Sequence, residues 1–198
     1  AYRTQDVGRT SIALFDAGPS QLGSPRVAHV ALLIVLARRA LRAGASFSWG
    51  VIQSGKTAMH QGVTPESVLR LLEAKTTRPV ADSMIEEWRA RLDEHAPSPV
   101  RELWIVGGGQ ARKAAAPLRG VAVLVDEVVE PETRSVSVDI LRGEGPARKV
   151  VLDLPDGRLV ARILRDPFEV TPPAKQRALP PAHRPFNLIM GASGGVAF

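Results

Sequence analysis

The sequence lacks cysteine altogether, which excludes disulfide frameworks, thiolate zinc sites and thiol catalysis. Aromatic residues make up only 5% of its 198 residues, too few to predict a base-stacking surface for nucleic acid. The longest apolar run, residues 27–37, falls short of the roughly 18 to 20 residues that a membrane-spanning helix needs. The first residues show no basic-then-apolar signal pattern. We therefore expect a cytoplasmic protein without a membrane partner.

Charge of one sign is never concentrated in this chain. Lys and Arg number 26 against 20 Asp and Glu, so the net charge is +6, but no block of five or six like charges occurs. A nucleic-acid partner is therefore not expected, although a basic surface that binds nucleic acid or an acidic partner without specificity stays an alternative. Hydrophobic residues at 44% and charged residues at 23% are typical of a globular protein.

The first 130 residues alternate predicted strands and helices. Short apolar runs predict strands at 11–15, 45–53, 101–106 and 121–125, and helices are predicted at 25–43, 65–74, 82–95 and 110–116. Ser24 and Thr64, each followed by proline, are predicted helix caps, and Gly44 is a predicted helix stop. This order predicts an α/β fold, a three-layer, doubly wound and mostly parallel sheet with helices on both faces.

The pattern changes after residue 130. Residues 135–141 alternate polar and apolar, while 149–154 and 158–164 flank the turn signal Pro155-Asp156-Gly157, which predicts a C-terminal antiparallel β-hairpin. These strands either extend the main sheet or form a small flap. Residues 171–198 begin with a proline-rich linker composition and end like the start of a further β element. We predict three segments, 1–130, 131–170 and 171–198, in a piece of a longer protein.

Two motifs suggest chemistry, and the first is a phosphate-binding loop. Residues 50–57 match the pattern GxxxxGK[ST], with Gly55, Lys56 and Thr57 at its end, and Asp126 follows an apolar strand as a magnesium-holding acid would. The phosphates of such a loop rest on a helix that begins at the lysine. The next clear helix start is Thr64, so nucleotide binding and hydrolysis form the alternative function.

The second motif follows the first predicted strand, where parallel sheets bind their ligands. Residues 16–20, Asp-Ala-Gly-Pro-Ser, together with the element order over residues 10–130, resemble a von Willebrand factor A (vWA) domain. That family places Asp-x-Ser-x-Ser here, and the resemblance implies a divalent cation such as Mg²⁺ held by Asp16 and Ser20. Gly18 replaces the middle serine, and the later acid is missing from Gly107-Gly108-Gly109. The later threonine would be Thr57, Thr64 or Thr76. The implied metal site is therefore degenerate.

Residues 15–26 and 43–50 more narrowly resemble the vWA component of bacterial ternary systems. These systems pair a MoxR-type AAA+ ATPase with a vWA protein and a β-propeller-like protein. The resemblance implies a non-enzymatic protein–protein interaction module, with the ATPase and the propeller-like protein as partners. Asp16, Gly18, Ser20 and the turn Gly107-Gly108-Gly109 would shape the contact surface, where approachable backbone amides would receive an acidic side chain of the partner.

Other candidate residues have structural explanations. His29 lies in an apolar helix and is predicted to be a hydrogen-bonded core residue. The remaining histidines show no metal-ligand spacing. Trp49, Trp88 and Trp104 occupy inward positions of their predicted elements and are expected in the core.

Overall fold

The structure is a computed structural model that describes residues 9–54, 59–95, 101–129, 134–143 and 145–165. All of these belong to one compact unit, Ala1–Phe168. The predicted linker and β element at 171–198 lie outside the described residues. No helix in the described ranges combines the length and the apolar character needed to cross a bilayer.

A mixed sheet of seven strands organises the described residues. In chain order the strands are β1 Thr10–Phe15, β2 Ser46–Val51, β3 His60–Gln61, β4 Arg101–Gly107, β5 Val121–Val129, β6 Arg134–Leu141 and β7 Arg148–Asp153. Their order across the sheet is β3-β2-β1-β4-β5-β6-β7. The four predicted strands β1, β2, β4 and β5 are parallel, whereas β3 pairs antiparallel with β2, β6 with β5 and β7 with β6. The α/β fold with a mainly parallel centre is therefore confirmed.

Five helices accompany the sheet in the described residues; the first four lie between the parallel strands, and the fifth follows β7. They are α1 Ser24–Arg42, α2 Pro65–Glu73, α3 Asp82–His95, α4 Gly109–Leu118 and α5 Gly157–Arg165, with single 3₁₀ turns at Pro19–Gln21 and Ile52–Ser54. Thr64 caps α2 as predicted, because its Oγ1 accepts a hydrogen bond of 3.2 Å from the Ser67 amide. Gly44 follows α1 at φ +66°, a left-handed conformation that favours glycine. Ser24, by contrast, does not cap α1: the cap position is Gly23, and Ser24 is already helical.

The core lies on both faces of the central strand. Along β1, Ala13 and Phe15 belong to a hydrophobic cluster that includes residues of α1 and α2. Ile12 and Leu14, which point the opposite way, belong to a second cluster with residues of α3 and α4. The three tryptophans are all at most 4% exposed, as predicted: Trp49, Trp88 and Trp104.

The predicted C-terminal hairpin is wrong in its second strand. Residues 157–165 form α5. Asp156 caps the start of this helix, because its Oδ1 accepts hydrogen bonds from the amides of Arg158 and Leu159 at 2.9 and 3.0 Å. The antiparallel pair is instead β6 with β7, and β6 also pairs with β5. The antiparallel strands therefore extend the main sheet and do not form a separate flap.

Candidate functional site

The candidate site lies where the parallel strands β1 and β4 end side by side. β1 ends at Phe15, and the Asp16 amide donates a 2.8 Å hydrogen bond to the Val106 carbonyl of β4. The loop that follows Asp16 therefore lies beside the Gly107-Gly108-Gly109 turn. The sequence predicted this proximity from the rule that neighbouring parallel strands share one carboxyl edge.

Asp16 is a buried carboxylate whose hydrogen bonds come from the protein itself. Its side chain is 2% exposed. Its Oδ1 accepts a hydrogen bond from the Gly18 backbone amide at 2.8 Å and another from Gln53 Nε2 at 2.5 Å. Because the Gly18 N–H already donates a hydrogen bond to Asp16 and Gly18 is itself buried, this amide is not available to a partner.

Gln53 is held in a single orientation. Its Oε1 accepts the Ala17 amide at 2.9 Å, so its Nε2 must face Asp16. The guanidinium of Arg26 lies near the same carboxylate and is 3% exposed, with a hydrogen bond to the Leu71 carbonyl. Burial lowers the pKa of Arg26, and the charge of Asp16 opposes that shift. The Asp16 charge is therefore balanced from within the fold.

These residues do not fit a divalent cation. A hard cation needs six or more oxygen ligands, whereas the side chain presented to Asp16 here is an amide N–H₂. Ser20 Oγ lies 3.5 Å from Gln21 Nε2, another donor. Within the described ranges, no three His, Asp or Glu residues cluster as metal ligands would. The metal site implied for Asp16 and Ser20 is thus not favoured by the arrangement around them.

A second buried polar contact lies under the same loop. Gln21 is fully buried, and its Nε2 donates to the Val125 carbonyl at 3.2 Å and to the Ser20 carbonyl at 3.1 Å. Its Oε1 must then accept from His29 Nε2, 3.0 Å away, which requires the proton on that nitrogen. Burial, with a smaller contribution from the Arg26 charge, lowers the pKa of His29 to about 3. His29 is therefore a neutral, hydrogen-bonded core residue, as predicted.

Gly108 allows the Asp16–Gln21 loop, the glycine turn and strand β5 to approach each other. A Cβ at this position would come within 2.8 Å of Gln21 Nε2 and 3.3 Å of Ser20 Oγ. Asp126 Oδ1 lies 3.8 Å from the same point. The structure thus brings Ser20, Gly108 and Asp126 together, three residues that the sequence assigned to two different functions.

β5 continues past the predicted strand end at Val125. Asp126 and Glu127 are strand residues opposite β6 and were expected in a loop. Both are exposed, and Glu127 Oε1 accepts a 2.6 Å hydrogen bond from Ser24 Oγ. The Ser24 hydroxyl therefore ties the start of α1 to β5, which explains why it does not cap its own helix.

The candidate threonines have separate roles. Thr64 Oγ1 is engaged in capping α2. The Thr76 amide donates to the Ala17 carbonyl at 3.1 Å, which places Thr76 beside the Asp16 loop, but its Oγ1 accepts the Arg78 amide. Thr57 lies outside the described residues.

The phosphate-loop alternative gains no support from its surroundings. Gly55, Lys56 and Thr57 lie outside the described residues. From Met59 the chain is not helical until α2 begins at Pro65, and β3 occupies His60–Gln61. No long helix therefore follows Lys56, although a phosphate-binding loop requires one. Asp126, the acid assigned to this alternative, lies near Ser20 and Gly108.

Comparison with known proteins identifies no family. Neither a model of a known family nor a curated protein matches this chain. The functional argument therefore rests on the geometry of this edge of the sheet.

Sequence reasoning missed the residues that hold the site together. Gln21, Arg26 and Gln53 carry the buried hydrogen bonds and charge, yet none of them stands in a recognised motif. One signal was available: Gln53 lies just after the buried residues Trp49 to Ile52, at the carboxyl edge where Asp16 was already expected. A polar side chain that is partly buried there needs a hydrogen-bond partner.

Proposed function

We propose that this chain is a non-enzymatic protein–protein interaction module of the vWA type, which binds its partner at the carboxyl edge of the parallel strands without a cation. The observation that carries the proposal is the Gln53 amide on Asp16 Oδ1. In a metal-dependent site that oxygen would face an ion. Here the protein supplies the donors, so the loop conformation does not depend on a bound metal.

The rim around Asp16 offers a surface of mixed chemistry. Ser20, Gly109 and Asp126 are exposed, and the side chain of Leu22 is 41% exposed beside them. A protein partner could contact this surface through hydrogen bonds to the polar groups and through the Leu22 side chain, since protein interfaces combine polar and apolar contacts. The buried hydrogen bonds of Gln21 and Gln53 hold this rim in shape before a partner arrives, which reduces the entropic cost of binding.

The partner that we propose is a MoxR-type AAA+ ATPase, with a β-propeller-like protein as the third component of a bacterial, cytoplasmic system. This part of the proposal rests on the resemblance of residues 15–26 and 43–50 to the vWA component of such systems. The three-layer arrangement typical of vWA domains belongs to the same proposal. It is supported by the hydrophobic clusters on both faces of β1.

The test is a binding titration between this chain and a purified MoxR-type ATPase, in buffer containing EDTA. Ser20→Arg and Leu22→Asp alter the proposed surface. Ser46→Arg and Leu41→Asp are matched controls, because both residues are exposed at the opposite end of the parallel strands, at the start of β2 and in the last turn of α1. We expect roughly tenfold weaker binding for each site variant, as for residues inside a contact surface, and unchanged binding for the controls.

Equal affinity of site and control variants would reject this surface, and binding abolished by EDTA would reject the cation-free mechanism. The nucleotide alternative is tested in parallel by titrating ATP and GTP into the wild type and Lys56→Ala. Tight binding that the substitution abolishes would replace the proposal with a nucleotide-dependent function.

A further inference from the structure

β7 is the last strand of the sheet and has one neighbour. It pairs with β6 from Arg148 to Asp153, and in the part of the chain that the structure describes no strand lies on its other side. The backbone groups on that side are therefore available for pairing. Proteins usually protect such an edge with charge, proline or a covering segment, because an open edge invites another strand.

The side chains of β7 make this edge apolar on both faces. Val150, Val151 and Leu152 are 48%, 53% and 43% exposed. Successive strand residues point to opposite faces, so Val151 projects from one face and its two neighbours from the other. All six residues of the strand are exposed. Three consecutive exposed aliphatic residues on an open edge are expensive in water unless another strand covers them.

We propose that β7 is a self-association edge, where two copies of this chain pair antiparallel about a twofold axis through Val151. In that register Val151 faces its own copy, and Val150 faces Leu152 of the second copy. Lys149 faces Asp153 of the second copy, and the symmetry repeats this pair of opposite charges. Each exposed aliphatic residue of the strand then has an aliphatic partner on its own face.

The two neighbouring registers are worse on the same criteria. An antiparallel pair centred on Leu152 would place Val151 opposite Asp153 and Lys149 opposite Pro155. An antiparallel pair centred on Val150 would place Lys149 opposite Val151 and Arg148 opposite Leu152, and would leave Asp153 opposite Ala147. In that register no charged residue of β7 would face a residue of opposite charge. On β6, Asp153 faces Ser135 and Lys149 faces Asp139. A second copy in the Val151 register supplies a lysine for Asp153, which has no charge opposite it within the chain, and a second aspartate for Lys149, and this charge complementarity identifies the occupant. The inference is independent of the proposed function, since β7 is separated from β1 and β4 by β5 and β6.

Sedimentation velocity of the full chain over a range of concentrations tests the proposal. The wild type should show a concentration-dependent dimer. Lys149→Asp alone places two aspartates opposite each other, and Asp153→Lys alone places two lysines opposite each other. Because symmetry repeats each clash, we expect either variant to weaken association by roughly tenfold or more. The double variant restores opposite charges and should return to wild-type association.

Mixing the two single variants gives the decisive comparison. In their heterodimer both cross-strand pairs again join opposite charges, so the mixture should associate although each variant alone does not. Val151→Lys should abolish the dimer, whereas Leu41→Lys, at a residue 78% exposed on α1, should leave it intact. Circular dichroism and the midpoint of unfolding verify that each variant is folded.

Several outcomes would overturn the inference. A wild type that is monomeric at every concentration would exclude pairing of two copies through β7. The Val151 register would be excluded if the single charge reversals left dimer association unchanged, or if the mixture of the two single variants failed to associate.

Discussion

Gln53 Nε2 lies 2.5 Å from Asp16 Oδ1, and this hydrogen bond joins the loops that follow two neighbouring parallel strands, β1 and β2. The residues are 37 positions apart in the chain. The same glutamine accepts the Ala17 amide, so one side chain serves both the acid and the backbone beside it. This arrangement gives the carboxyl edge a fixed shape, and the first two predictions test it.

Gln53→Ala should destabilise the protein by about 1–3 kcal/mol, because it leaves a buried carboxylate oxygen and a buried amide with one partner fewer. Urea unfolding followed by tryptophan fluorescence measures the change. Gln110→Ala is the matched control, since Gln110 is exposed in the first turn of α4. An equal effect of the two substitutions would contradict the structural role of Gln53.

Removal of divalent cations should leave stability unchanged. Asp16 Oδ1 is occupied by N–H donors, so neither EDTA nor added Mg²⁺ or Mn²⁺ is expected to shift the Tm. Differential scanning fluorimetry across a cation titration measures this. A saturable rise in Tm with Mg²⁺ that disappears in Asp16→Asn would instead establish a metal site.

His29 should make the fold sensitive to acid. Its pKa is about 3 in the folded protein, lowered first by burial and then by Arg26, against 6.5 in an accessible histidine. Between these values the unfolded chain binds a proton that the folded chain does not. Stability is therefore complete above pH 6.5 and falls as the pH drops towards 3, with a slope approaching about 1.4 kcal/mol per pH unit.

Replacing His29 by glutamine tests this slope. The glutamine amide can donate to Gln21 Oε1 but cannot ionise, so His29→Gln should flatten the dependence of the unfolding free energy on pH below 6.5. Urea unfolding at neutral pH and at successively lower pH values measures both slopes. Parallel curves for the two proteins would show that other groups cause the acid sensitivity.

Gly50→Ala should overpack the core on the α3 face of the sheet. A Cβ at Gly50 would lie 2.5 Å from Trp88 Cη2, and Trp88 is 2% exposed and held by a 3.0 Å hydrogen bond from its Nε1 to the Ile52 carbonyl. The ring has little room to move, so we expect a loss of about 1–3 kcal/mol. Gly109→Ala, where nothing lies within 4 Å of the added Cβ, is the control and should be neutral or stabilising in α4.

Local signals predicted much of the fold. The capping threonine before Pro65 and the left-handed Gly44 act within one helical turn, so their effects are visible in a short stretch of sequence. The second strand of the predicted hairpin was wrong because the turn signal Pro155-Asp156-Gly157 outweighed the helical signal. Leu159, Val160, Ile163 and Leu164 recur at helical spacing, and Asp156 precedes them as a cap. The two-residue β3 has too few residues for any periodicity.

The candidate site was likewise predicted only in part. Asp16, Ser20 and the glycine turn were predicted to lie together, because strands of a parallel sheet end at one edge. Their partners were not, since each contact requires knowing which side chains cross between loops. The bond from Gln21 to the Val125 carbonyl spans 104 positions in the chain. No local pattern distinguishes such a glutamine from an exposed one.

The amino-acid order by itself determined the parallel strands β1, β2, β4 and β5 and the helices between them, because apolar periodicity and capping residues act over a few positions. Only the tertiary structure decided that Asp16 faces an amide, that Ser24 bonds to Glu127, and that β7 is the last strand of the sheet in the described residues, with both faces exposed. These features depend on which distant segments the packed sheet brings into contact. The contacts between distant segments are determined by burial of the whole core and not by any one stretch of sequence.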